Sequence, residues 1–293
     1  MSFPVMLNST NKVDANNYKV SLASNMNLTD YEVAVENLFI YNSWCTISAA
    51  LNNNKFNLIF PYGISVNQYI INITLPDGQY NISDLNKYLQ LIMIGHNVYL
   101  IDNNGNNVFY AEFYIQPGSY QVAFRTTQVP TSLPTNWKYG VNNTTWGFSI
   151  INVLPGNAGC HFQLQTLSNN SFNDIIGFAN TYFPSSYYLP SNYYTVSVSS
   201  KVPNVNPISS IQMRLNCVYN EFATDSRLVH CFTNNNALFG EMIDASPNSP
   251  TFIPCSNNSF KEIIASFYDQ NGNNLNILDS NLLIKLLFKK ASS

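Results

Sequence analysis

The feature that most constrains this chain is its period. Apolar residues recur at every second position in short runs, and Asn, Gly or Pro cuts each run before it reaches helical length. Over residues 31–41, Tyr31, Val33, Val35, Asn37, Phe39 and Tyr41 fall on one face, with Glu32, Ala34 and Glu36 opposite. Ile211, Met213, Leu215, Cys217 and Tyr219 repeat the pattern, as do Leu282, Ile284, Leu286 and Phe288, with Lys285 and Lys289 behind them. Further strands are expected over residues 44–50, 56–60, 69–75, 120–124, 146–154, 162–166 and 194–198. Many short strands with frequent turns, and no repeat of fixed length, make an all-β sandwich or jelly roll and disfavour propellers and solenoids.

One stretch changes period. In ITLPDGQYNISDLNKYLQ, residues 73–90, a strand leads through Pro76-Asp77-Gly78 into apolar positions Leu85, Leu89 and Ile92 at helical spacing. Gly78 suits a positive φ, Ser83 and Asp84 suit the start of a helix, and Gly95 suits its end. Residues 172–177 have room for one more helical turn, stopped by Gly177.

Turn chemistry organises the remainder. The run Asp102-Asn103-Asn104-Gly105-Asn106-Asn107 predicts a hairpin between residues 98–101 and 108–115. A second, Gln270-Asn271-Gly272-Asn273-Asn274, predicts that residues 263–269 and 282–288 pair as a closing hairpin. The stretch 182–194, rich in Ser, Pro and Tyr, reads as a loop. Residues 1–29, with weak periodicity, read as an arm ordered only against something else.

Composition sets limits on function. Charged residues make up 10% of the 293 residues, and asparagine, at roughly one residue in six, supplies the polar surface instead. The asparagines are spread among periodic apolar segments, so biased codon usage explains them better than a prion-like tract. A net charge of −3 with 13 Lys plus Arg argues against a surface that neutralises nucleic-acid phosphates. The N-terminus lacks the pattern of a signal peptide, and no apolar run is long enough to span a membrane. Cys45, Cys160, Cys217, Cys231 and Cys255 are odd in number, contain no Cys-x-x-Cys pair, and read as reduced core thiols of an intracellular protein. Without secretion, the many Asn-x-Ser/Thr matches carry no meaning.

No catalytic, cofactor-binding or metal-binding residue is assigned, and the chain is not expected to be an enzyme. Of the three histidines, His161 follows Cys160 and His230 precedes Cys231, but neighbours on a strand point to opposite faces and cannot share a metal without a bulge. The 102–107 run has the wrong glycine position for a calcium loop and lacks a distal glutamate. There is no phosphate-binding glycine loop and no nucleotide fingerprint.

The order LPDGQYNISDLNKYLQ, a hairpin, then SFNDIIGFANTYFP resembles a module of the penton and minor capsid proteins of virophages and Polinton-like viruses. IQMRLNCVYNEF and the terminal ASFYDQNGNNLNILDSNLLIKLLFKK extend the resemblance over most of the chain after about residue 30. It implies a single jelly roll carrying an inserted, mainly-β upper domain with one short helix. The implied division is an arm at 1–29, the jelly roll at 30–61 and 200–293, and the insert at 62–199. Gly78, Tyr80, residues 83–85 and Ile176-Gly177-Phe178 match the module as structural positions. The resemblance further implies a virion component assembled in the host cytoplasm, a homopentamer at the fivefold vertices that contacts the major capsid protein.

Two other functions fit the residues. A carbohydrate-binding sandwich, attaching to a host-surface glycan or receptor, would need exposed aromatics, for which Trp137, Trp146, Tyr187, Tyr188, Tyr193 and Tyr194 are candidates. A cysteine hydrolase would need one of the Cys–His neighbours assembled with groups from elsewhere in the fold.

Overall fold

The structure is a computed structural model that describes residues 2–63, 67–140, 145–147 and 153–291. Its strands, in chain order, are β1 (Ser2–Asn8), β2 (Asn17–Asn27), β3 (Tyr31–Tyr41), β4 (Lys55–Tyr62), β5 (Asn67–Thr74), β6 (Leu100–Ile101), β7 (Asn107–Val108), β8 (Ala111–Ile115), β9 (Val122–Thr127), β10 (Lys138–Tyr139), β11 (Gln163–Thr166), β12 (Tyr182–Phe183), β13 (Tyr194–Val198), β14 (Ile211–Leu215), β15 (Leu228–Phe232), β16 (Met242–Asp244), β17 (Ile253–Pro254), β18 (Ser259–Asp269) and β19 (Leu282–Lys290). Two helices, α1 (Ile82–Gly95) and α2 (Phe172–Ile176), interrupt them. The chain divides into two compact units, Met1–Cys45 with Ile208–Ser293, and Thr46–Pro207.

The first unit is a jelly roll. One sheet has the order β1-β19-β3-β16, with β17 also on β3, and the other has the order β15-β14-β18-β2. Along the chain the strands alternate between the sheets except at the β14–β15 hairpin and at β16 and β17, which both lie on β3, so if the eight longer ones are lettered B to I the sheets read BIDG and CHEF. That wiring is the double Greek key of a jelly roll. Inward residues of both sheets, among them Leu7, Val35 and Leu286 from one and Met213, Ile263 and Phe267 from the other, form a single buried cluster.

Several expectations change here. Residues 1–29 are no arm, because they supply β1 and β2. Phe3 stacks on Phe288 with ring centroids 5.3 Å apart, and Leu7 is fully buried. Their period is masked in the sequence because the outward residues Pro4 and Met6 are apolar too. Pro4 is tolerated because β1 is an edge strand. The strand over 31–41 does not keep one phase. Val33 and Val35 face the core, but so do Leu38 and Ile40, while Phe39 and Tyr41 are only partly buried. The register against β19 shifts between Val35↔Leu286 and Asn37↔Lys285, leaving Glu36 as the extra residue of a β-bulge that inverts the alternation.

The closing pair also differs. β18 and β19 are not partners: the first lies between β14 and β2, the second between β1 and β3. The turn at 269–273 does form, with Gly272 at φ 81° and the Asp269 carboxylate accepting from the backbone N–H of Asn271 and Asn273 at 2.8 Å each. The chain then bridges only at Tyr268↔Asn274 before crossing to the other sheet.

The second unit is inserted in the chain between β3 and β14. Its border falls at Cys45/Thr46, earlier than residue 62, because β4 pairs with β5 and β11 and so belongs to this unit; residues 200–207 belong to it as well. It contains the sheets β12-β11-β4-β5, β13-β9-β8 and β10-β6-β7. Helix α1 buries Ile82, Leu85, Leu89 and Met93 in a core that includes Phe56, Phe124, Trp146 and Phe162. Its N-cap is Asn81 and not Ser83: Asn81 Oδ1 accepts from Asp84 N at 2.9 Å, and the Asp84 carboxylate accepts in return from Asn81 N at 3.2 Å. His96 caps the other end, followed by Asn97 at φ 54°, so Gly95 is simply the last helical residue.

Gly78 is absent from the positive-φ glycines and instead bridges Ile47, the one ladder contact within residues 44–50, which do not form the expected strand. Helix α2 ends as expected, at Gly177 with φ 75°. The strand expected over 146–154 falls largely on residues 148–152, outside the described residues.

Candidate functional site

The polar groups of the jelly roll gather on the outer side of the β15-β14-β18-β2 sheet, around a cavity of about 360 Å³. Arg214 Nη1 donates to Asp225 Oδ2 at 2.6 Å and Nη2 donates to Gln212 Oε1 at 2.7 Å, while the guanidinium lies 4.0 Å from the Tyr268 ring centroid. Arg227 reaches the same carboxylate at 3.2 Å, and Lys19 pairs with Glu262 at 3.2 Å. The hydrogen bond from Arg227, with the charge of Arg214 behind it, holds the Asp225 carboxyl below its ordinary range. Lys19, Arg214 and Arg227 line the cavity with Asp14 and Glu262, and Asp225, which is not in its wall, pairs with both arginines, so three carboxylates answer three cations.

Both sheets end in open flanks, at β1 and β16 in one and at β15 and β2 in the other. β2 is blunted. Its register against β18 jumps from Ser21↔Glu262 to Met26↔Phe260, which throws residues 22–25 out of the ladder. β16 has no such break in its ladder, and exposed apolar side chains gather at its start: Met242 on the strand, and Leu238 and Phe239 in the turn just before it, lie within five residues of one another. Phe222, 92% exposed, stands on the loop between β14 and β15. Such grouped apolar exposure marks a contact surface better than scattered single residues do.

In the second unit, two adjoining cavities of about 450 and 310 Å³ share Thr127 and Tyr193 in their walls. Trp137 lines the larger and Tyr194 and Arg125 the smaller. Buried His161 fixes the backbone that presents the tyrosines. Its Nε2 donates to the Asn192 carbonyl at 3.1 Å, and its Nδ1 accepts from the Thr126 hydroxyl at 3.2 Å. A carbonyl can only accept, so Nε2 carries a proton, and with the ring neutral Nδ1 is the acceptor for the Thr126 hydroxyl. Burial pushes the His161 pKa down, in keeping with that state.

No family model matches the sequence, and no curated protein matches it. Among solved structures, the crystal structure of the SeMet-labelled mavirus penton protein is similar at 10% identity and a TM-score of 0.42, over 99% of this chain and 98% of that one. The jelly-roll assignment rests on this chain's own strand order.

Of the six aromatics considered for a glycan platform, the structure brings together three. Trp137, Tyr193 and Tyr194 line the paired cavities, whereas Trp146 is fully buried and donates to the Pro61 carbonyl at 3.2 Å. Tyr187 and Tyr188 are not among the lining residues.

The Cys–His neighbours are not assembled for catalysis. Burial raises the Cys160 thiol and lowers His161, the reverse of what an activated thiolate–imidazolium pair requires, and both His161 nitrogens are engaged. His230 Nε2 donates to the Ala245 carbonyl at 2.8 Å. Cys231 is exposed and not a core thiol, and Cys45 is half-buried; the five cysteines are unbridged. The Asp102 carboxylate accepts from the backbone of Asn104 and Asn106 and from the Asn106 amide, which closes the turn. Among the described residues, no three His, Cys, Asp or Glu side chains gather as a metal site, and no helix is long and apolar enough to cross a membrane.

The sequence reading missed the edge segment 238–242. Its signal was available in ALFGEM, an apolar cluster around a glycine inside an otherwise polar loop.

Proposed function

We propose that this chain is a structural capsid protein, the subunit of a pentameric capsomer at the fivefold vertices of an icosahedral virion of the virophage or Polinton-like kind. The observation that carries the reading is the BIDG/CHEF strand order with open flanks, one of which bears the exposed apolar segment at Leu238, Phe239 and Met242. Jelly rolls serve many functions, so the flank chemistry matters as much as the wiring. A flank whose exposed Leu238, Phe239 and Met242 sit beside the carboxylates of Glu241 and Asp244 suits burial against a different face of a neighbouring copy, one that offers apolar contact with a polar or basic rim. Such head-to-tail contacts close into a ring when the rotation between copies permits. Partners on this reading are further copies of the chain and the major capsid protein of the same virion, with assembly in the host cytoplasm. The protein then works by burying surface and not by turnover.

The test is the native mass of the purified protein in dilute, near-neutral buffer. A species near five times 33.0 kDa supports the vertex reading. A trimer sinks it in favour of another capsid or spike component, and a strict monomer that is also left out of co-expressed shells sinks it altogether.

A further inference from the structure

We infer that the paired cavities of the second unit form a binding groove for a neutral oligosaccharide, with Tyr193 as the platform between its two halves. The inference stands apart from the capsid reading and does not depend on how many copies associate.

Four observations support it. First, the size fits: cavities of about 450 and 310 Å³ are in the range of small-molecule sites, roughly 300–1,000 Å³. Because they share Thr127 and Tyr193, they make a track and not a single closed hole, which suits a chain of linked rings.

Second, the lining combines the two kinds of group a sugar requires. The rings of Trp137, Tyr193 and Tyr194 offer flat apolar faces to the C–H side of a pyranose. Thr127, Gln128 and Ser132 offer hydroxyl and amide groups that can both donate and accept, matching sugar hydroxyls. A lipid tail would leave those polar groups unpaired.

Third, the groove has no net charge to give. Among the described residues Arg125 is its one charged lining residue, and that guanidinium is ion-paired with Glu112 and lies 5.8 Å from the Tyr114 ring centroid. A phosphate, nucleic acid or sulfated polymer would require an uncompensated cation.

Fourth, the platform is preorganised. Tyr193 is 74% exposed, yet its carbonyl accepts from Gln128 N at 2.8 Å. The preceding carbonyl, of Asn192, is held by His161, and Tyr194 is paired with Thr127 in the sheet. An exposed aromatic on a fixed backbone loses little entropy on binding, whereas one on a loose loop loses much.

The experiment uses the full chain on an array of neutral and acidic glycans, followed by calorimetry with the neutral oligomers, chitotetraose, mannopentaose and N-acetyllactosamine among them. Trp137, half-buried in the wall, provides a fluorescence readout. The expected result is saturable binding of at least one neutral oligosaccharide, insensitive to added salt. Tyr193→Ala should weaken it at least about tenfold, the loss expected for one stacking contact of ~1.4 kcal/mol. It should leave the melting temperature unchanged, since the side chain is outside the core. Tyr120→Ala, an exposed aromatic that lines neither cavity, should bind as the wild type does. The inference is overturned by an array without a neutral hit, by neutral binding that survives both Tyr193→Ala and Trp137→Phe, or by binding of acidic glycans alone that salt abolishes.

Discussion

Lys285 Nζ meets Glu36 Oε1 at 3.1 Å across the one residue of β3 that has no partner in the ladder. On the N-terminal side of Glu36, odd-numbered residues of β3 face the core; on the C-terminal side, even-numbered residues do. The bulge therefore decides which half of this strand is inside out, and the ion pair merely covers it.

This separates two substitutions at one position. Glu36→Ala removes a pair whose side chains are each about a third exposed, and such pairs contribute about 0–1 kcal/mol, so a small shift in the urea midpoint is expected. Deleting Glu36 removes the bulge and forces either Leu38 and Ile40 or Val33 and Val35 out of the core. Loss of the cooperative transition is expected, and an intact transition in the deletion variant would refute the role given to the bulge.

Acid should weaken the fold before it protonates the carboxylates. His161 and His96 both have pKa values lowered by burial from the ordinary 6.5, so the unfolded chain binds more protons than the native one in the window below that value. Stability is then fully present above pH 6.5 and declines as pH falls towards the lowered values. Urea titrations at descending pH check this, and His161→Gln should flatten the slope at some cost in stability at neutral pH.

The core of the second unit is centred on stacked aromatics. Phe56 and Phe172 stack with centroids 4.5 Å apart, and both are buried. Phe172→Ala should cost about 3–5 kcal/mol, read as a lower denaturant midpoint with little change in slope.

Two glycines with similar backbone angles should respond differently to alanine. Gly105, at φ 85°, has open space where a side chain would go, so Gly105→Ala meets only the left-handed strain of about 1–2 kcal/mol. Gly177, at φ 75°, has the Lys201 carbonyl in that place. Gly177→Ala should therefore destabilise by clearly more, and equal melting temperatures for the two variants would contradict this.

The edge segment supplies a test of assembly that spares the fold. Phe239→Asp combined with Met242→Asp places charge on two exposed side chains. It should shift the native mass towards the 33.0 kDa chain without lowering the melting temperature.

What the sequence determined by itself was local. Alternation at i and i+2 made the chain all-β, and β19 keeps its phase from Leu282 to Phe288 because no bulge interrupts that strand. The left-handed cap at Gly177 and the aspartate-closed turns at Asp102 and Asp269 were likewise written in neighbouring residues. Partner choice was not. Nothing within residues 259–290 says that β18 and β19 belong to different sheets, or that residues 2–8 pair with the far end of the chain. Those pairings are set by burial shared between strands distant in the chain, more than two hundred residues apart for β1 with β19, β3 with β19 and β2 with β18. The phase of β3 turned on one extra residue, which periodicity averages over. Trp146 and Trp137 are equally aromatic in the sequence, and only packing separated them, burying the first in the core and leaving the second in the wall of a groove.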